Sequence, residues 1–172
     1  EIYLPYVLSA YLLIEALSRM THMPKSWQLL IIGDGILKHT FEKSIIEKGL
    51  QDHIKLVGRK NKNQIAEIFH NSDFFVLPSR NETFGVVYIE ALACGLPVIA
   101  TDCGGPSDIV TSGNGVIVPC EDIEALVKAI RYMIDHLNNY NRKAIAEDCV
   151  ARFAPKVIAQ QLIEIFEQAI KT

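Results

Sequence analysis

Apolar residues along this chain follow two alternating rhythms. Short β-branched runs are each followed by a longer stretch whose apolar positions recur three and four residues apart. Gln28-Leu29-Leu30-Ile31-Ile32 predicts a buried strand ending in Gly33-Asp34-Gly35. The next stretch, to Glu47, carries Leu37, Phe41, Ile45 and Ile46 and predicts a helix that Gly49 terminates. Ile54-Lys55-Leu56-Val57 predicts a second strand, stopped by Gly58, and Asn63 to His70 a short helix with Ile65, Ile68 and Phe69 inward. Asp73-Phe74-Phe75-Val76-Leu77 predicts a third strand, ended by Pro78. A helix from Gly85 to Cys94 then leads through Gly95-Leu96-Pro97 into the strand Val98-Ile99-Ala100, and Gly115-Val116-Ile117-Val118 predicts a fifth strand. Beyond it the pattern is helical throughout: Ile123 to His136, Asn141 to Val150 and Lys156 to Ile170. This alternation implies an α/β fold, a Rossmann-like parallel sheet with helices on both faces and a helical C-terminal end. Ligands of such sheets sit at the carboxyl ends of the strands.

Composition narrows the class. The chain has 172 residues, the size of one domain, and 49% hydrophobic content, enough for a core without disulfide or metal staples. Its formal charge of -3 and pI near 6.0 give no electrostatic footprint for nucleic acid or an anionic membrane. The cysteines Cys94, Cys103, Cys120 and Cys149 form no C-x-x-C and no ligand pairing with histidine, so a reducing, cytoplasmic setting without a disulfide framework is expected. The apolar run Tyr3 to Leu17 is interrupted by Pro5, Ser9 and Glu15, so no membrane span is expected. The opening Glu1-Ile2-Tyr3 has no basic stretch and no initiator Met, which leads us to expect a piece of a longer protein, without a signal peptide. The histidines, among them His39, His53 and His70, fall on polar stretches without ligand spacing, and no metal site is expected.

Candidate chemistry concentrates between Leu77 and Val98. Glu90 stands inside the apolar run Val86 to Cys94, where an unpartnered carboxylate costs several kcal/mol. Glu82 lies in the loop before the same helix. Gly85 permits close backbone approach at the helix start, where free N–H groups and the helix dipole attract phosphate. Between Gly85 and Glu90 the axis rises about 7.5 Å at roughly 1.5 Å per residue. A diphosphate at the helix mouth would then have Glu90 on one side and Glu82 on the other. That layout suits a nucleotide sugar: ribose hydroxyls, diphosphate, sugar hydroxyls, with a carboxylate accepting from each set of hydroxyls. The alternative is that Glu90 binds core backbone groups and Glu82 caps the helix. Gly33-Asp34-Gly35 is not a dinucleotide fingerprint, because Lys38 stands where a third glycine is due. Gly104-Gly105-Pro106 either shapes a loop facing the cleft or, the favoured reading, is a plain turn before a short Ser107 to Val110 helix, and Asp73 reads as a strand-entry residue.

Taken together, these motifs resemble the C-terminal domain of retaining GT-B glycosyltransferases of the group 1, or family 4, kind. That family's mark is two glutamates separated by seven residues, preceded by Pro-Ser and followed by Ala-x-Ala-x-Gly-x-Pro-Val. Here these are Glu82 and Glu90, Pro78-Ser79, and Ala91 to Val98. Ile32-Gly33-Asp34-Gly35, Leu56-Val57-Gly58, Ser72-Asp73 and Thr101-Asp102-Cys103-Gly104-Gly105 extend the likeness over nearly the whole chain. The resemblance implies that Glu90 holds the donor ribose and that Glu82, as the catalytic residue, touches the transferred sugar. It also implies that Phe84 and Gly85 offer backbone amides, with Val86 and Val87 flanking diphosphate and ribose. Arg59 lines the nucleobase pocket or is a solvated loop residue, and Gly33 closes on the diphosphate side or stays clear of it. The resemblance further implies that the nucleotide sugar is a substrate, with no further cofactor and no obligate metal expected. The acceptor, a glycan or glycolipid, would sit on an N-terminal domain absent from this chain, and the parent protein could associate peripherally with membranes.

One departure stands out. Family members carry an Arg and a Lys near the start of this domain to neutralise the donor phosphates, whereas Glu1 to Leu8 holds no Arg, Lys or Gly. Donor binding without turnover is therefore expected of the chain alone. Two rival readings are a non-catalytic nucleotide-sugar-binding module and a nucleotide-sugar epimerase on the same architecture. A phosphorylase would need a lysine for pyridoxal phosphate, and no such context is present.

Overall fold

A computed structural model describes residues 4–170, with side-chain surroundings from residue 9 onward. Glu1 to Tyr3, part of the segment read as lacking the phosphate-binding pair, lie outside the described residues. The chain runs through helix α1 (Leu4–Ser18), strand β1 (Leu29–Ile32), α2 (Lys38–Glu47), β2 (Ile54–Gly58), α3 (Lys62–His70), β3 (Phe75–Leu77) and α4 (Val86–Ala93). It continues through β4 (Val98–Thr101), α5 (Pro106–Ile109), β5 (Gly115–Val118), α6 (Ile123–His136), a 3-10 turn (Leu137–Asn139), α7 (Arg142–Phe153) and α8 (Pro155–Ile170). Helix ends follow local chemistry. The Lys48–Leu50 turn closes α2 with two bonds, Leu50 N–H to Ile45 O (2.9 Å) and Gly49 N–H to Ile46 O (3.0 Å), around Gly49 at φ 68°. A capping box between Asn61 and Gln64 opens α3.

All strand pairs are parallel, as the alternation of elements demands. They fall into two ladders, β1–β2 and β3–β4–β5, rather than the single sheet expected; no pairing joins the ladders among the described residues. Alternation within the strands builds two cores. Ile99, Val76 and Val118 point to one face, where α1 and α6 bury Ile14, Leu17, Ile130 and Met133 together with Leu29, Ile31 and Leu56 of the first ladder. Val98, Ala100, Phe75 and Leu77 point to the other, against Phe69 of α3, Tyr88 and Leu92 of α4, Ile109 of α5 and Ile145 of α7. Helix α8 has no buried residue and leaves Leu162, Ile165 and Phe166 exposed.

The second core holds α3 and α4 in place through α7. The Arg142 guanidinium donates to the carbonyls of Ser72 (2.7 Å) and Phe69 (3.2 Å), and a Cβ built on Gly95 (φ 73°) would lie 2.4 Å from Arg142 O. Gly95→Ala is accordingly expected to cost about 2–3 kcal/mol, left-handed strain plus the clash, and to lower Tm by roughly 5–10 °C in thermal denaturation. An unchanged Tm would show that the α4–β4 turn relaxes freely.

Candidate functional site

Strand β3 delivers the chain to a loop, Pro78 to Gly85, at the carboxyl end of the second ladder. Two features fix this loop. Thr101 Oγ1 donates to Ser79 O at 2.5 Å from the end of β4, and Arg80 pairs with Glu121. Its second half lies against the loop after β4. Glu82 and Gly104 form a one-residue parallel bridge, with Glu82 N–H on Cys103 O (3.3 Å) and Gly105 N–H on Glu82 O (2.9 Å). The approach is so close that a Cβ on Gly105 would lie 2.4 Å from Phe84 Cα. Of the two readings of Gly104-Gly105-Pro106, the contacts favour a shaped loop beside the cleft over a plain turn. It buttresses the Glu82 loop, and the two glycines are needed because any side chain would separate the strands of backbone.

Helix α4 starts from Gly85 at φ 89°, where an added Cβ would lie 2.7 Å from the Tyr88 ring and 3.3 Å from Glu82 Cγ. The Tyr88 hydroxyl donates to Leu77 O at 2.6 Å, anchoring the first turn to β3. Within an eight-residue helix the N–H groups of Val86 and Val87 have no intrahelical acceptor, so the start of α4 presents free donors and positive dipole.

The helix also corrects the reading of Glu90. Tyr88, Ala91 and Leu92 are buried, while Val86, Glu90 and Ala93 fall on the opposite face at i, i+4 and i+7. Glu90 is half-buried and opens onto solvent, not lodged in the core, so burial without donors is not what marks it. The run is apolar on Val86 and Ala93 because those positions line a groove.

Two grooves meet at this carboxylate. The first, of about 430 Å³, is lined by Glu82, Thr83, Phe84, Gly85, Val86, Val87 and Glu90. It thus gathers Glu82, Phe84, Gly85, Val86, Val87 and Glu90, all singled out from the sequence. The second, of about 220 Å³, runs between α3 and α4 under Lys62, Ile65, Ala66 and Phe69 on one side and Ala93 and Cys94 on the other, with Glu90 at the join. Neither groove is lined by Arg59 or Gly33. Gly33 is instead occupied in the β1–β2 ladder, its N–H on Gly58 O at 3.0 Å. Lys62 and the α3 wall were missed in the sequence; the signal available was the basic cluster Arg59-Lys60-Lys62 at a helix start. Burial, the largest cause, pushes the Cys94 thiol above its ordinary value, which makes it an apolar wall of the groove rather than a thiolate.

Neither Glu82 nor Glu90 makes an ion pair or side-chain hydrogen bond among the described residues. Both are acceptors open to the groove. Chemically, the arrangement is two free carboxylates flanking a set of free N–H donors, suited to a ligand with hydroxyls at either end of an anionic centre. Among the described residues no three His, Cys, Asp or Glu side chains gather as a metal-binding group, and no helix is long and apolar enough to cross a membrane.

Comparison with known proteins follows the same lines. Residues 9–147 match the family of glycosyl transferases group 1. The chain is 38% identical over 119 residues to an uncharacterized glycosyltransferase of Methanocaldococcus jannaschii, covering 69% of this chain and 33% of that one. It is 30% identical to a GDP-mannose-dependent monoacylated alpha-(1-6)-phosphatidylinositol monomannoside mannosyltransferase of Corynebacterium glutamicum, over 72% of this chain and 34% of the relative. Sucrose-phosphate synthase from Thermosynechococcus elongatus superposes with a TM-score of 0.80 at 28% identity, over 95% of this chain and 42% of that structure. The chain thus spans about a third of the two curated relatives and less than half of the solved one. With the family match reaching across both ladders, both grooves and the paired glutamates, the chain belongs to the group 1 glycosyl transferases.

Proposed function

We propose that this chain is the donor-binding half of a GT-B-type enzyme that transfers a hexose-type sugar from a nucleoside diphosphate to an acceptor hydroxyl, with retention of configuration. The observation that carries the reading is the pair of unpartnered carboxylates, Glu82 and Glu90, opening into one groove at the start of α4. In this arrangement the ribose hydroxyls donate to Glu90 at the join of the grooves. The base extends along Lys62, Ile65 and Ala66, and the diphosphate meets the Val86 and Val87 N–H groups. The sugar reaches Glu82, whose carboxylate accepts from its hydroxyls as positive charge develops at the anomeric carbon and the diphosphate departs. The dependence of the C. glutamicum relative on GDP-mannose supports a nucleotide sugar as the donor class. The acceptor, a glycan or glycolipid, belongs to a second domain, whose closure positions the hydroxyl and excludes water. No metal takes part in this reading; the free N–H groups and dipole at the start of α4 offset part of the charge on the leaving diphosphate.

A second reading, a non-catalytic nucleotide-sugar-binding module, is favoured by one observation: among the described residues no Arg or Lys lines the groove at the start of α4. Titration calorimetry of the chain with a panel of nucleoside diphosphates, beside transfer assays of the full-length protein, separates the readings. The proposal expects binding by the chain alone and transfer only by the longer protein. Binding with no transfer by the full-length protein leaves the module, and no binding of any diphosphate ends both.

A further inference from the structure

The register of β4 and β5 brings two cysteines together behind the Glu82 loop. Each β4 residue pairs with the residue 17 positions on, Val98 with Gly115 and Thr101 with Val118. The ladder is extended by Asp102 N–H on Val118 O at 2.8 Å. Past the ladder the chain turns, with Cys103 N–H on Thr101 O at 2.9 Å, and the Cys103 and Cys120 side chains come within hydrogen-bond reach of each other. Thr101 Oγ1, which donates to Ser79 O, also contacts Cys103 Sγ at 3.5 Å, and Cys120 Sγ lies 3.7 Å from the same Ser79 carbonyl and 3.2 Å from Asp102 O. Both thiols are free and partly exposed. Cys94 caps α4 and Cys149 lies in α7, away from these strand ends.

We infer that Cys103 and Cys120 form a reversible dithiol modification site, oxidised by hydroperoxides to a disulfide that displaces the Glu82 loop. In the reaction both S–H bonds and the O–O bond break and one S–S bond forms. The two electrons and two protons of the thiols pass to the peroxide oxygens, leaving water and, from an organic hydroperoxide, an alcohol. The coupling to the site is short: Cys103 O accepts from Glu82 N–H, and the next two residues, Gly104 and Gly105, hold the Glu82 backbone. Burial pushes the Cys103 thiol up, so oxidation is expected to quicken as pH rises.

The effect on ligand rests on the donor-site reading above; the modification itself does not. The chain is treated with hydrogen peroxide, and its cysteine peptides are mapped by mass spectrometry before and after dithiothreitol. The expected result is a single intramolecular Cys103–Cys120 link, reversed by reductant, kept in C94S and C149S and lost in C120S. Calorimetry should then show nucleoside diphosphate affinity weakened about threefold to tenfold in the oxidised protein, the size of one displaced loop hydrogen bond, with C120S unaffected by peroxide. Separate sulfinic acids on the two thiols, a link to Cys94 or Cys149, or a link that leaves affinity unchanged would overturn the inference. If the reduced chain binds no diphosphate, the donor reading fails while the mapped link still decides the modification.

Discussion

Glu82→Gln in the full-length protein is expected to lower kcat by about 10- to 100-fold while nucleoside diphosphate affinity stays within about twofold. The substitution is nearly isosteric, so the Glu82–Gly104 bridge and the loop bonds to Cys103 and Gly105, which are made by the backbone, survive it. What is lost is charge. A hydrogen bond to an ionised acceptor contributes about 1.5–3 kcal/mol, and one that strengthens as positive charge grows on the sugar acts on the transition state more than on the bound donor. The expected signature is therefore a fall in kcat and kcat/KM together, read by steady-state kinetics over donor concentration. A rise in KM at constant kcat would assign Glu82 to ground-state binding instead, and unchanged kinetics would remove it from the site.

Glu90→Gln acts on a different quantity. Its carboxylate stands where the two grooves join, half-buried and without a protein partner, so the charge is available to the ligand. The expected result is a 10- to 100-fold rise in Kd for a nucleoside diphosphate. The sharper test varies the ligand too. Deoxy analogues lacking a ribose hydroxyl should bind the unaltered protein as weakly as the ribonucleotide binds the Glu90→Gln variant, and the variant should barely distinguish the two ligands. Coupling of this kind isolates the pairwise contact from general damage to the groove. Equal and additive losses from the two changes would mean that the ribose lies elsewhere.

Most of the site was legible from spacing. The motif placed both glutamates close to the start of one helix, Glu82 in the loop before Gly85 and Glu90 on the helix itself, while their opening into one groove was set by the Gly104–Gly105 loop that holds Glu82 against α4. The reason first attached to Glu90 did not hold. Residue type along a run says nothing of which face is inward, and the inward face was set by Tyr88 and Leu92 packing on β3 and β4. Arg59 and Gly33 line neither groove, and Lys62 replaces them on the wall, because a loop's neighbours depend on how α3 tilts onto α4.

By itself the amino-acid sequence determined the order of strands and helices from Leu29 onward, their parallel sense and the motif that places the chain among group 1 glycosyl transferases. All of these rest on periods and turns short enough to be read locally. The tertiary structure alone decided contacts between residues far apart in the chain. It set the Gly104–Gly105 loop against Glu82 and Phe84, divided the strands into two ladders and left the apolar face of α8 uncovered. It also brought Cys103 beside Cys120. Such proximity arises from strand register and close packing, which are properties of the whole folded chain and carry no signature in any one segment of it.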